Sequence, residues 1–252
     1  MKFSAWFSGF LLCAATLVYA QSPQQVFEQA NQLYQQEKFV EARQAYESLV
    51  HNGYGGGELY YNLGNACYKS GDIAHAILYY ERALKVMPND DDLKHNLQLA
   101  NLMITDKIES TPRLFVWDYW DSIKQMTSLQ GITWLTYLFF VVTMGAVAIV
   151  IVARTYRTRR LAFISGATAA VIFVFFLTVL VARASDLARQ DSAIVIASIT
   201  TVKNSPDEKS SDAFVLHGGV KVHITDRLNE WVKIRLADGK VGWMESSAAA
   251  VI

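Results

Sequence analysis

The chain has 252 residues, 23 Lys and Arg against 23 Asp and Glu, and a hydrophobic fraction of 52%. The balanced charge excludes a nucleic-acid binder that works through bulk positive charge, and the apolar content excludes a charge-expanded disordered chain. The balance hides three regimes: residues 21–131 carry 9 basic and 14 acidic side chains, residues 154–160 carry four Arg and no acid, and residues 183–252 carry nine of each.

Residues 1–20 combine Lys2, an apolar run from Phe3 to Val18, and Val18-Tyr19-Ala20 before Gln21. This pattern predicts a secretory signal peptide cut after Ala20, with an uncleaved anchor helix as the alternative. Leu12 before Cys13 argues against a lipoprotein. After cleavage Cys67 is the one remaining cysteine, so no intrachain disulfide is available. A lone Cys on a helix reads as a small core residue.

From Pro23 the chain shows a 34-residue self-similarity, visible where Asn62-Leu63 recurs as Asn96-Leu97. A period of this size signals stacked helical hairpins. Gln24 to Asn52 and Glu58 to Met87 each contain two amphipathic patterns. Small Gly64, Ala76 and Ala83 mark close helix approaches, and Tyr60, Tyr80 and Leu84 fill the space beside them. Residues 57–90 resemble a tetratricopeptide repeat, with Gly64, Tyr68, Gly71, Ala76, Tyr80, Ala83 and Pro88 in motif positions. Residues 23–56 are a weaker copy carrying Ala30, Tyr34, Phe39, Ala42 and Tyr46, and residues 91–105 resemble a capping first helix. A repeat domain over 21–110 is therefore expected. The resemblance implies a concave, peptide-binding surface holding Asn31, Tyr61, Asn62, Asn65, Lys69 and Asn96, since asparagine amides both donate to and accept from a peptide backbone. Phe27 and Asp92 stand where a carboxylate clamp would need cations. Groove binding and docking by shape alone both remain open.

Two uncharged runs follow, 131–153 and 161–182, each long enough to cross a bilayer. The cluster Arg154, Arg157, Arg159 and Arg160 predicts a cytoplasmic loop over 154–160, which leaves both soluble parts on the opposite side. Trp117, Tyr119 and Trp120 in the preceding segment 111–130 suit a membrane–water interface, or packing against the repeats. Gly145, Gly166 and Ala170 would permit close packing of the spans.

Beyond residue 190 the pattern becomes short alternating runs. Val220, Val222 and Ile224 alternate with Lys221 and His223, and Val232 and Ile234 with Lys233 and Arg235. Asp238-Gly239 reads as a hairpin turn. The landmarks Leu216-His217-Gly218-Gly219, Glu230-Trp231-Val232 and Asp238-Gly239-Lys240-Val241-Gly242-Trp243 resemble a bacterial SH3-like domain over 190–252. Trp231 and Trp243 either line a peptide or glycan groove or belong to the barrel core, the core being the favoured place for Trp243.

The expected whole is a multidomain membrane protein: an α-solenoid of tetratricopeptide repeats, two transmembrane helices and a small all-β SH3-like barrel. Its layout is similar to the BatE proteins of the Bacteroides aerotolerance operon. That resemblance implies a scaffold in an envelope complex with membrane-anchored von Willebrand A-type proteins, other repeat proteins and an AAA-type ATPase. Peptidoglycan binding through the SH3-like domain is the alternative. The five His are scattered without metal-ligand spacing, and no phosphate loop, nucleophile elbow or nucleophile–base pair is evident. No enzyme activity, catalytic residue, metal, cofactor or nucleic-acid partner is expected, and His75 and His95 read as solvated.

Overall fold

The structure, a computed structural model, describes residues 22–109, 114–188 and 191–252; the expected signal segment lies outside them. Helices α1 (Pro23–Gln35) and α2 (Phe39–His51) form one hairpin, α3 (Gly57–Lys69) and α4 (Ile73–Val86) a second, and α5 (Asp91–Met103) packs on α4. Local chemistry sets the starts. Ser22 and Gln25 make a reciprocal capping box around Pro23. Asp72 and Asp90 cap α4 and α5 by accepting from the amides of His75 and Leu93.

Small residues bring the helices together and large ones fill between them. Ala30, Ala42, Ala66, Cys67, Ala76 and Ala83 are fully buried, beside Tyr46, Leu63, Tyr80 and Leu93. Gly64 lies against the Tyr80 ring so closely that an added Cβ would stand 2.6 Å from its Cδ1. Arg43 on α2 ties the hairpins by donating to Glu47 and to Asp72, each at 2.7 Å. His75 is not simply solvated: its Nδ1 lies 2.9 Å from Asp72. Burial alone would raise the Asp72 carboxyl, but hydrogen bonds from His75 and the charge of Arg43 outweigh it and hold the group at about 2. Cys67 is a core residue whose thiol is pushed well up by burial.

Helix α6 (Phe115–Gln125) packs on α8 and leaves Phe115, Trp117 and Tyr119 exposed. Helices α7 (Leu129–Val152) and α8 (Tyr156–Ala188) form a long antiparallel pair. Because α8 starts at Tyr156, Arg157, Arg159 and Arg160 lie on its first turns and not in a loop, and the run 161–182 lies inside a longer helix. The seam between them uses small residues: Ala162, Gly166 and Ala169 are buried on α8, and a Cβ on Gly166 would stand 2.8 Å from that of Ala146. Gly145 faces open space instead. Phe139 stacks on Phe176, with ring centroids 5.8 Å apart.

The remaining residues form a curled antiparallel sheet, β1 (Ser192–Val195), β2 (Ile199–Lys203), β3 (Asp212–His217), β4 (Lys221–Leu228), β5 (Trp231–Arg235), β6 (Val241–Glu245) and β7 (Ala249–Val251), in the order β3-β2-β6-β5-β4-β1-β7. Leu216 on edge strand β3 shares one core with Val195 on β1, so the sheet closes over on itself around Val202, Val222, Ile234 and Met244. The observed architecture is thus a helical repeat region, two long apolar helices and an all-β SH3-like domain. Trp243 departs from the expected core position. It pairs with Lys233 and Lys203, which puts it on the outer face, while neighbours Gly242 and Met244 point inward.

The two soluble units share a strand. Ala193 and Val195 of β1 enter the barrel core, whereas Ile194, with Ile196, enters the core of the helical repeats. The Gly218-Gly219 turn seats against the helices. Gly219 has φ +96 and lies where a Cβ would stand 3.2 Å from Ile77, and Gly218 stands equally near Ala74. Around this seam Arg82 donates to the Val251 carbonyl at 2.6 Å, Lys221 pairs with Glu81 at 2.7 Å, and the His217 amide donates to Asp106 at 2.7 Å.

Candidate functional site

The first helix of each hairpin and the capping helix, α1, α3 and α5, face a common surface. The SH3-like domain packs instead on α4 and the segment after α5. This surface therefore stays open. Two adjoining cavities of about 280 and 320 Å³ run along it and share Tyr34 and Asn65. Asn31, Asn62 and Asn65 line the first, and Tyr61, Asn65, Lys69 and Asn96 line the second. All six residues expected on the concave face thus come together.

Their side chains are joined by a network that repeats with the sequence period. The Tyr46 hydroxyl on α2 donates to Asn31 Oδ1 on α1, and the Asn62 amide on α3 donates to the same oxygen at 3.1 Å. One repeat later, the Tyr80 hydroxyl donates to Asn65 Oδ1 at 2.7 Å, and the Asn96 amide donates there at 3.1 Å. In both rungs the tyrosine follows its acceptor by 15 residues and the second asparagine follows by 31. Asn96 also reaches the Tyr61 hydroxyl at 3.1 Å.

This arrangement fixes the chemistry of the surface. Two donors saturate each acceptor oxygen, so the Asn31 and Asn65 amides must present their Nδ2 groups outward. Neither Nδ2 has a protein partner among the described residues. Burial first, and neighbouring tyrosines second, raise the Tyr80 hydroxyl well above its ordinary range. Burial likewise raises Tyr46 to about 12, against the opposing hydrogen bond from Asn62. Both therefore stay protonated and remain donors. The surface offers half-buried amide donors flanked by Tyr34, Tyr61 and Tyr68, with exposed Lys69 at one side. Such a surface suits an extended peptide backbone rich in carbonyl acceptors.

Sequence reasoning missed the tyrosine partners. Their signal was present in the spacing: Tyr46 and Tyr80 stand 34 residues apart, as do Asn31 and Asn65.

On the SH3-like domain, Trp231 and Trp243 are half-buried diagonal neighbours on the outer face of β5 and β6. Lys233 Nζ lies 5.7 Å from the centre of the Trp243 ring. Lys203 occupies the pairing position on the far side of Trp243, held by Asp212 at 3.1 Å.

The tetratricopeptide repeat family matches residues 57–90, and the bacterial SH3 domain family matches residues 200–249. No curated protein matches the chain. The first match covers the second hairpin, α3 and α4, and runs on to the Asp90 cap of α5; the second runs from within β2 to the first residue of β7. Domains of these two types typically act in protein–protein interaction or peptidoglycan binding and are typically non-catalytic.

Proposed function

We propose that the chain is a non-enzymatic membrane scaffold whose repeat surface holds an extended peptide of a partner protein. The observation that carries this reading is the open asparagine surface, with its amides oriented outward by the period-34 network. The SH3-like domain braces the other side and leaves it free.

On this reading α7 and α8 cross the inner membrane. Each has a window of mean hydropathy 2.5, of which only 11% and 17% of residues are buried, whereas a core helix of a soluble protein would be covered. The Arg-rich end faces the cytoplasm, and the repeats and SH3-like domain lie in the periplasm, exported by the signal peptide. The resemblance to BatE proteins suggests an envelope complex connected with aerotolerance or stress, with von Willebrand A-type and other repeat proteins as partners. No cofactor enters this function.

Crosslinking the full chain in membranes, followed by affinity capture, tests the reading. The wild type is expected to recover one or more envelope proteins, and the Asn31→Ala/Asn65→Ala variant to lose them. Each lost hydrogen bond is worth about 1 kcal/mol, so the pair weakens binding by roughly 10- to 50-fold. Equal recovery by both chains excludes the groove.

The outward Trp231, Trp243 and Lys233 favour a second reading, peptidoglycan binding by the SH3-like domain. Detergent-solubilised full chain would then sediment with purified sacculi, and Trp243→Ala would abolish this. No sedimentation by the wild type removes the second reading.

A further inference from the structure

We propose that the asparagine surface of the repeats takes a proline-rich segment of the partner protein, held in the polyproline II conformation. This rests on the reading of that surface as the peptide site.

The network leaves a defined set of groups unused. Asn62 and Asn96 give their amide hydrogens to Asn31 and Asn65, so their own Oδ1 atoms turn to the cavities they line. Neither oxygen has a protein partner among the described residues. Each rung therefore exposes one donor, Nδ2 of Asn31 or Asn65, and one acceptor, Oδ1 of Asn62 or Asn96. A backbone laid from α1 toward α5 meets the same pair of groups twice.

The step between the rungs selects the backbone. Asn62 reaches from α3 to α1, and Asn96 from α5 to α3. The rungs are thus one interhelix step apart, about 8–10 Å for packed helices. A polyproline II helix has three residues per turn and rises about 3.1 Å for each, so like groups recur on one side every ~9.3 Å. A β-strand shows like groups on one side every second residue, about 6.6–6.8 Å apart, and falls out of step between the rungs. An α-helix uses its own amides and carbonyls internally.

The walls agree with this choice. Tyr34, Tyr61 and Tyr68 flank the rungs, and Tyr34 borders both cavities. Aromatic walls beside hydrogen-bond donors suit proline rings and their exposed carbonyls. The preformed polyproline II helix also loses little conformational freedom on docking. Lys69 borders the second cavity, exposed and without an ion-pair partner among the described residues. An acidic side chain beside the second rung would complement it.

The test uses the full chain in mild detergent and three labelled peptides of equal length, read by fluorescence anisotropy. Repeats of Ala-Pro-Pro hold polyproline II and keep one N–H in each triplet for Asn62 or Asn96. Repeats of Thr-Val-Thr favour a strand, and repeats of Ala-Gly-Ser stay flexible. The Ala-Pro-Pro peptide is expected to bind and the other two to bind more than tenfold more weakly. Asn31→Asp/Asn65→Asp keeps the oxygens that Tyr46 and Tyr80 donate to, and replaces each outward Nδ2 by an acceptor. One lost hydrogen bond is worth a factor of about five, so the double variant should weaken Ala-Pro-Pro by roughly 25-fold or more. Tyr34→Leu removes a wall and no amide, should weaken the same peptide severalfold, and keeps the test intact if the aspartate variant does not fold. Equal binding of the three peptides, tighter binding of Thr-Val-Thr, or Ala-Pro-Pro binding indifferent to both variants overturns the proposal. So does no binding of Ala-Pro-Pro, and membrane capture then separates two cases. If recovery of envelope proteins still depends on Asn31 and Asn65, only the proline-rich ligand falls. If it does not, the peptide site falls with it.

Discussion

Strands β1 and β5 belong to one sheet and have opposite surroundings. In β5, Val232 and Ile234 are buried while Trp231, Lys233 and Arg235 face outward, the alternation of a sheet with one wet face. In β1, Ala193, Ile194 and Val195 are all fully buried, because the second face lies against the helical repeats. The difference teaches that the SH3-like domain is not a bead on a flexible string. One of its strands serves two cores, and the helices and sheet stabilise each other.

The largest test of this contrast is Ile194→Asp. A buried, unpaired carboxylate should cost more than about 3 kcal/mol and part the two units without altering the outer face of β5. Limited proteolysis of the full chain would show new cleavage between residues 104 and 192. Unchanged digestion would mean that the shared strand contributes little.

Within the repeats, Gly64→Ala drives a methyl group into the Tyr80 ring and should lower stability by about 1–3 kcal/mol. Thermal unfolding followed by circular dichroism checks it. A comparable loss in the SH3-like domain would show that the units unfold together.

Asp72→Asn keeps a helix cap but removes the charge that joins α2 to α4. Its folded pKa, about 2, lies below the ordinary 3.8. The stabilisation is therefore fully present above about pH 5 and disappears as pH falls through 3.8 toward 2, with a size of about 2 kcal/mol. Wild-type Tm should fall over that window more steeply than the variant's. Parallel curves would locate the acid sensitivity elsewhere.

The smallest effect belongs to the outer face. Trp243→Ala should cost under about 1 kcal/mol, since the ring lies outside both cores. A much larger fall in Tm would make it a packing residue after all.

Periodicity made most of this fold legible. The 34-residue repeat identified the hairpins and brought all six groove residues to one surface, because a repeat fixes which helix faces the same way. Uncharged length identified the two long helices. For Trp243 the sequence leaves groove and core both open: its size favours the core, while strand parity decides the face, and with Gly242 and Met244 inward residue 243 points out. The seam was harder to see. The unbroken run Ile194-Val195-Ile196 is the mark of a strand covered on both faces, but it names no covering surface. Arg183 was legible as a charge after a span and not as a clamp on the carbonyls of Lys124 and Thr127 at the end of α6, which depends on tertiary approach.

The length of α8 limits where partners can be met. Its 33 residues extend about 50 Å, against a hydrocarbon layer of ~30 Å. Only residues 189–191 separate it from β1, a stretch that reaches about 10 Å at most. If α8 spans the membrane, the braced pair of domains stands on a short mast rather than a tether. It cannot search the space far from that surface. Its effective concentration is high for proteins confined to the same membrane surface and close to nil for anything held farther away.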